Sequence, residues 1–114
     1  MIIPFDDCVV VIEGSSVTIR RGDSGVTIPL PFNKYEVNYK VERWYGKLRD
    51  LESQYLCDKV GSVRRLRRRM LINLRGNEGD YLIIIVRDFD NYHVFYGWSW
   101  FDGDEYGFIW ADTL

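Results

Sequence analysis

Apolar and polar positions alternate, or fall in short β-branched runs, over the first 30 residues. Cys8-Val9-Val10-Val11-Ile12 is one such run, and Gly14-Ser15-Ser16 ends it with turn chemistry. Val17-Thr18-Ile19-Arg20 alternates, Arg21-Gly22-Asp23-Ser24-Gly25 turns, and Val26-Thr27-Ile28-Pro29-Leu30 alternates again. The pattern predicts a β-meander over 8–30. Pro29 cannot donate to a ladder, which places the third strand at an edge or ends it there. The Arg21-Gly22-Asp23 tripeptide reads as part of a turn.

The next pattern has a different period. Asn33 stands where a helix cap would, and Glu36 follows at the reciprocal position of a capping box. Phe32 and Val37 fit a hydrophobic staple. Val37, Val41, Trp44, Leu48, Leu51 and Tyr55 recur at spacings of four and three, predicting an amphipathic helix from about Lys34 to Cys57. Gly61-Ser62 interrupts it. Val63, Leu66, Met70 and Leu74 then line one face of a second helix over 62–75, with Gly76 as its C-terminal cap. A rival reading ends that helix near Arg69. It makes Met70 to Leu74 a strand that hairpins through Asn77-Glu78-Gly79-Asp80.

Tyr81-Leu82-Ile83-Ile84-Ile85-Val86 is a continuous apolar run between turn signals. That is the signature of a strand buried on both faces. His93 to Trp100 alternates, placing Val94, Tyr96, Trp98 and Trp100 on one face and His93 on the other. Asp102-Gly103 is a hairpin signal, and Tyr106-Gly107-Phe108-Ile109-Trp110 is a last strand. The expected fold is a single α+β domain over residues 1–114. It has an N-terminal β-meander, a central amphipathic helix and a second basic helix. C-terminal antiparallel strands pack on the central helix, with Val41, Trp44, Leu48 and Leu51 against Leu82–Val86.

Composition supports a globular chain: 46% hydrophobic and 16% aromatic residues over 114 positions. A net charge of −2 conceals segregation. Residues 59–76 hold seven basic and no acidic side chains, whereas 77–114 hold one basic and eight acidic ones. The N-terminus carries Asp6 and Asp7 early and no basic region, unlike a secretory signal. The expected setting is cytoplasmic, with no membrane association. Cys8 and Cys57 then read as reduced thiols.

Catalytic motifs are sparse. His93 is the sole histidine, which removes multi-histidine metal sites, and it reads as a partly exposed strand residue. There is no P-loop, no G-x-G-x-x-G and no G-x-S-x-G. Asp88, Asp90 and Asn91 resemble a cation loop only locally, because Ser99 stands where an EF-hand needs Glu. No cofactor is expected.

Two constellations suit binding. Ser62 with Arg64, Arg65, Arg67, Arg68 and Arg69 on a basic helix would make an anion or nucleic-acid site. Nine aromatics lie within 92–110, beside Asp102, Asp104 and Glu105. Acids would repel phosphate there, so the tip formed by Trp100, Phe101, Asp102, Asp104 and Glu105 reads as a contact surface for a basic protein. The sequence therefore favours a small non-enzymatic protein-binding domain. By class analogy it could be an inhibitor or immunity-type module acting on a larger, nucleic-acid-processing protein. The alternative is a nucleic-acid-binding protein using the helix 62–75, and a metal-dependent or cysteine enzyme ranks third. Charge complementarity also permits a homo-oligomer.

Overall fold

A computed structural model describes residues 1–43, 67–77, 79–88, 90–99 and 106–114. These residues form two antiparallel sheets and contain no helix. The first sheet has the order β1 (Ile2–Phe5), β2 (Cys8–Glu13), β3 (Ser16–Arg21) and β4 (Ser24–Pro29). The second runs β5 (Glu36–Arg43), β6 (Arg68–Arg75), β7 (Asp80–Arg87), β8 (Tyr92–Ser99) and β9 (Tyr106–Thr113). The meander of 8–30 is present as read, preceded by β1, and Pro29 ends its edge strand.

Two-residue turns join the strands of the first sheet, and their backbone needs φ above zero. Gly14 and Gly22 supply it at +54° and +58°, values that cost a glycine nothing. With the turns fixed, period-two alternation assigns the faces. Ile3, Phe5, Cys8, Val10, Ile12, Val17, Ile19 and Ile28 point inward and are buried. They form one cluster with Met70, Ile72, Leu74, Tyr81, Ile83, Ile85 and Val94 of the second sheet.

The α+β expectation fails at both of its helices. Glu36 to Arg43 reads Glu-Val-Asn-Tyr-Lys-Val-Glu-Arg, alternating polar and apolar as far as Glu42, and forms β5. Val37 and Val41 are four apart, a spacing that keeps them on one face of a helix and equally on one face of a strand. Tyr39 between them decides for the strand, since a helix would turn it away from both. The same coincidence misled over 62–75. Met70 and Leu74 share a face, but so does Ile72, and 68–75 is strand β6. Arg68 and Arg69 therefore stand on a strand, not at the end of a helix as the rival reading also had them; its strand over Met70 to Leu74 and its hairpin hold, with the Gly76 N–H donating to the Gly79 carbonyl at 2.9 Å. Gly76 is not a helix cap. A Cβ there would lie 2.8 Å from the Phe32 ring. Val41 is 37% exposed and lies two strands from β7, so it does not pack on Leu82–Val86. Trp44, Leu48, Leu51, Tyr55 and the segment 62–66 lie outside the described residues.

The run Tyr81 to Val86 is buried throughout. Its odd residues face the first sheet. Leu82, Ile84 and Val86 are buried on the opposite face, with Phe95 beside them on β8. Between β8 and β9 the register shifts by one residue at Gly97. Gly107 consequently stands opposite Trp98.

Two-sided burial makes a specific expectation. Ile83→Ala and Ile84→Ala should each lower unfolding free energy by about 2–5 kcal/mol, although they sit on opposite faces. Thr27→Ala, on the exposed face of β4, should change it by less than about 0.5 kcal/mol. Urea titrations of the three variants check this; a neutral Ile84→Ala would mean that face is not packed.

Candidate binding surface

The turn between β1 and β2 is held by charge. Asp6 adopts φ +53°, which Asp tolerates better than most side chains. Its Oδ1 accepts a hydrogen bond from Arg68 Nη1 at 2.5 Å and its Oδ2 one from Arg87 Nη1 at 2.8 Å. One carboxylate thereby ties the hairpin to β6 and to β7. The next residue adds a third tie, as the Asp7 N–H donates to Tyr92 Oη at 3.0 Å. Tyr92 is buried, with its ring edge-on to Phe5 at 5.9 Å and the Arg21 guanidinium 5.0 Å above it. Arg21 also donates to the carbonyls of Asp90 and Leu114. Charge-assisted bonds and cation–π contacts of this kind fix a turn more firmly than neutral ones.

The clamped hairpin carries an unusual outer face. Register pairs Ile2 with Val11 and Pro4 with Val9. All four project away from the core: Ile2 is 71% exposed, Val9 40%, Pro4 is exposed and Val11 half-buried. The other half of the same face is polar or small. Thr18 stands opposite Val11 and Arg20 opposite Val9, with Thr27 and Gly25 beyond them on β4. Thr18 and Thr27 hydroxyls meet at 3.3 Å. A two-layer sandwich needs polar outer positions, and β3 and β4 supply them where β1 and β2 do not.

His93 is buried, not partly exposed. Its Nε2 lies 2.8 Å from Asp88 Oδ2, and its Nδ1 lies 3.4 Å from Thr113 Oγ1. Asp88 Oδ1 accepts from the N–H groups of Asp90 and Asn91 at 2.7 and 2.6 Å. Burial alone would raise the Asp88 pKa. The hydrogen bond with His93 and those from the two N–H groups overcome it and hold the carboxyl below its ordinary value. The group thus closes the β7–β8 turn. Cys8 sits between the sheets, where burial pushes its thiol up to about 11 and keeps it protonated at neutral pH. Among the described residues no three His, Cys, Asp or Glu side chains converge as a metal site.

The predicted site residues divide. Trp100, Phe101, Asp102, Asp104, Glu105, Ser62, Arg64 and Arg65 lie outside the described residues. Arg67 precedes β6, its N–H donating to the Arg87 carbonyl. Arg68 pairs with Asp6, and Arg69 forms an ion pair with Glu42. The aliphatic face of β1 and β2 was missed. Its signal was present in Cys8 to Ile12, a run too uniformly apolar for a strand with one wet face.

Asp88 generates a prediction about acid stability. Its folded pKa is lowered, so its contribution is complete above the unfolded value of about 3.9 and is lost as pH falls through the folded one. Asp88→Ala should lower stability at neutral pH by about 2–5 kcal/mol, because His93 and two N–H groups lose their partner. The gap between wild type and variant should narrow as pH falls below about 4. Thermal melts across the acid range test both statements, and a gap independent of pH would refute the charged role.

No protein-family model, curated protein or solved structure matches this chain, so what it does must be argued from its own geometry.

Proposed function

We propose that the chain is a small protein-binding domain whose contact surface is the outer face of the β1–β2 hairpin. The observation that carries this reading is the outward aliphatic quartet of exposed Ile2, Pro4 and Val9 with half-buried Val11, beside a polar half-face on the same sheet. Such a patch gains free energy when a partner covers it, at about 25 cal/mol per Å² of apolar surface removed from water. The Asp6 clamp strengthens the case. A surface already held in one conformation loses little entropy on binding. Arg20 borders the quartet on the same face, so the fitting partner is a protein with an apolar contact patch and an acidic residue at its rim. An inhibitor or immunity-type role, in which a rigid face blocks a larger target, agrees with this arrangement. Nucleic-acid binding ranks lower because the guanidinium groups of Arg68 and Arg69 are engaged by Asp6 and Glu42.

Val9→Lys places a charge in the quartet without disturbing the core, and its stability should stay within about 0.5 kcal/mol of wild type. Affinity capture with both proteins as bait, read by mass spectrometry, should return a protein held by wild type and lost by the variant. Purified, that protein should bind wild type at least about tenfold more tightly, a difference of 1.4 kcal/mol. Equal capture by both baits would overturn the assignment of this face.

A further inference from the structure

We infer that two copies of this chain associate through β5, strand to antiparallel strand, about a two-fold axis at Val41. The contact is distinct from the hairpin face and does not depend on it.

The argument begins with the direction of the backbone groups. Gly76 and Gly79 form a hydrogen-bonded pair, and such pairs alternate along an antiparallel ladder. Leu74 with Tyr81, Ile72 with Ile83 and Met70 with Ile85 are therefore bonded pairs across β6 and β7. The intervening residues of β6 turn to β5, where the register matches Asn73 with Asn38, Leu71 with Lys40 and Arg69 with Glu42. Val37, Tyr39 and Val41 are left with N–H and C=O groups aimed away from β6. Among the described residues β5 pairs with β6 alone.

The four-stranded sheet treats the same problem differently. Met1 and Ile12 exchange backbone bonds at 2.9 and 2.8 Å, so the outward positions of β1 are Ile2 and Pro4. The Leu30 N–H donates to the Ser15 carbonyl, so the outward positions of β4 include Pro29. Each edge of that sheet thus has a proline where an incoming strand would need a donor, a common guard against edge pairing. The outward positions of β5 hold Val and Tyr instead. Their side chains are exposed as well: Tyr39 by 52% and Val41 by 37%.

Charge selects the second copy as occupant and sets its register. Lys40 and Glu42 flank Val41 on the same strand face. With Val41 opposite its counterpart, Lys40 of each chain faces Glu42 of the other, giving two opposite-charge cross-strand pairs from one contact. Lys40 is free to move to them, with a side chain 66% exposed and its own Glu42 at 3.5 Å. Shifting the axis to Tyr39 would set Glu36 against Glu42, and shifting it to Lys40 would set two lysines together. Like charges directly opposite destabilise a ladder, so Val41 is the preferred centre among the three. The product joins the ten described strands of two such sheets into one, with Tyr39 and Val41 covered at its middle.

Sedimentation velocity on the full chain across a dilution series tests the inference. Wild type should show a dimer that dissociates on dilution. Val41→Pro removes a donor that no described strand of its own chain uses, so it should be monomeric with an unchanged circular dichroism spectrum. Lys40→Glu is exposed and safe for the fold, and it should raise the dimer Kd roughly tenfold or more. A wild type that stays monomeric at every concentration would overturn the inference. So would a dimer that persists unweakened in folded Lys40→Glu, even if Val41→Pro fails to fold.

Discussion

Tyr81 to Val86 has no wet face. Residues 81, 83 and 85 are buried toward the first sheet, and Leu82, Ile84 and Val86 are buried on the other side. A strand in that position must be interior to its sheet, because its backbone groups need partners on both sides and its side chains need cover on both faces. β6 and β8 supply the ladders, with β5 and β9 beyond them as the outer strands. The four-stranded sheet then covers one face with its aliphatic side. Much of the described architecture follows from satisfying this one run.

The two layers meet through apolar contacts but are aligned by polar ones. A hydrophobic interface tolerates sliding, since burial is nearly indifferent to direction. Asp6 is not: its two oxygens meet arginines from β6 and β7, and its neighbour's N–H meets Tyr92 at the start of β8. Three adjacent strands of one sheet thus read the position of a single turn in the other. Asp88 does similar work within the second sheet. It closes the β7–β8 turn and fixes His93 on the following strand. Both aspartates sit in turns and both are bound to more than one partner, which gives each turn one geometry.

How much of this was legible depends on period. The meander of 8–30 and the buried run 81–86 were readable because turn residues (glycine, proline, aspartate and asparagine) bounded each alternating or continuous segment. The helices were misread because Val37 with Val41 and Met70 with Leu74 satisfy periods of 3.6 and of 2 alike. Tyr39 and Ile72, the intervening residues, carried the discriminating information. Asn33, Glu36 and Phe32 imitated a helix cap, yet Glu36 opens β5 opposite Arg75. The arginine cluster was visible as charge, but pairing with Asp6 and Glu42 depends on contacts across 62 and 27 residues that no local pattern encodes. His93 was placed on the correct strand. Its burial was not legible, because it rests on Asp88 five residues earlier, which the sequence presents only as one of several turn acids.

The treatment of surfaces gives the fold its functional direction. Outer positions of β3 and β4 are Thr, Arg and Gly, and Pro4 and Pro29 close the edges of that sheet to added strands. A chain that guards itself at these places leaves Ile2, Val9 and Val11 on one face and Tyr39 and Val41 on one edge. Neither departure improves the folded state: aliphatic side chains in water gain nothing from their exposure, and among the described residues no strand pairs with the outward groups of β5. Both acquire a use only when another surface covers them. The face suits side-chain packing by a shape-matched partner, and the edge suits a ladder extended by β5 of a second copy, whose charges match it. Their chemistry differs, so the two proposed contacts do not compete: pairing through β5 would leave each hairpin open to a target.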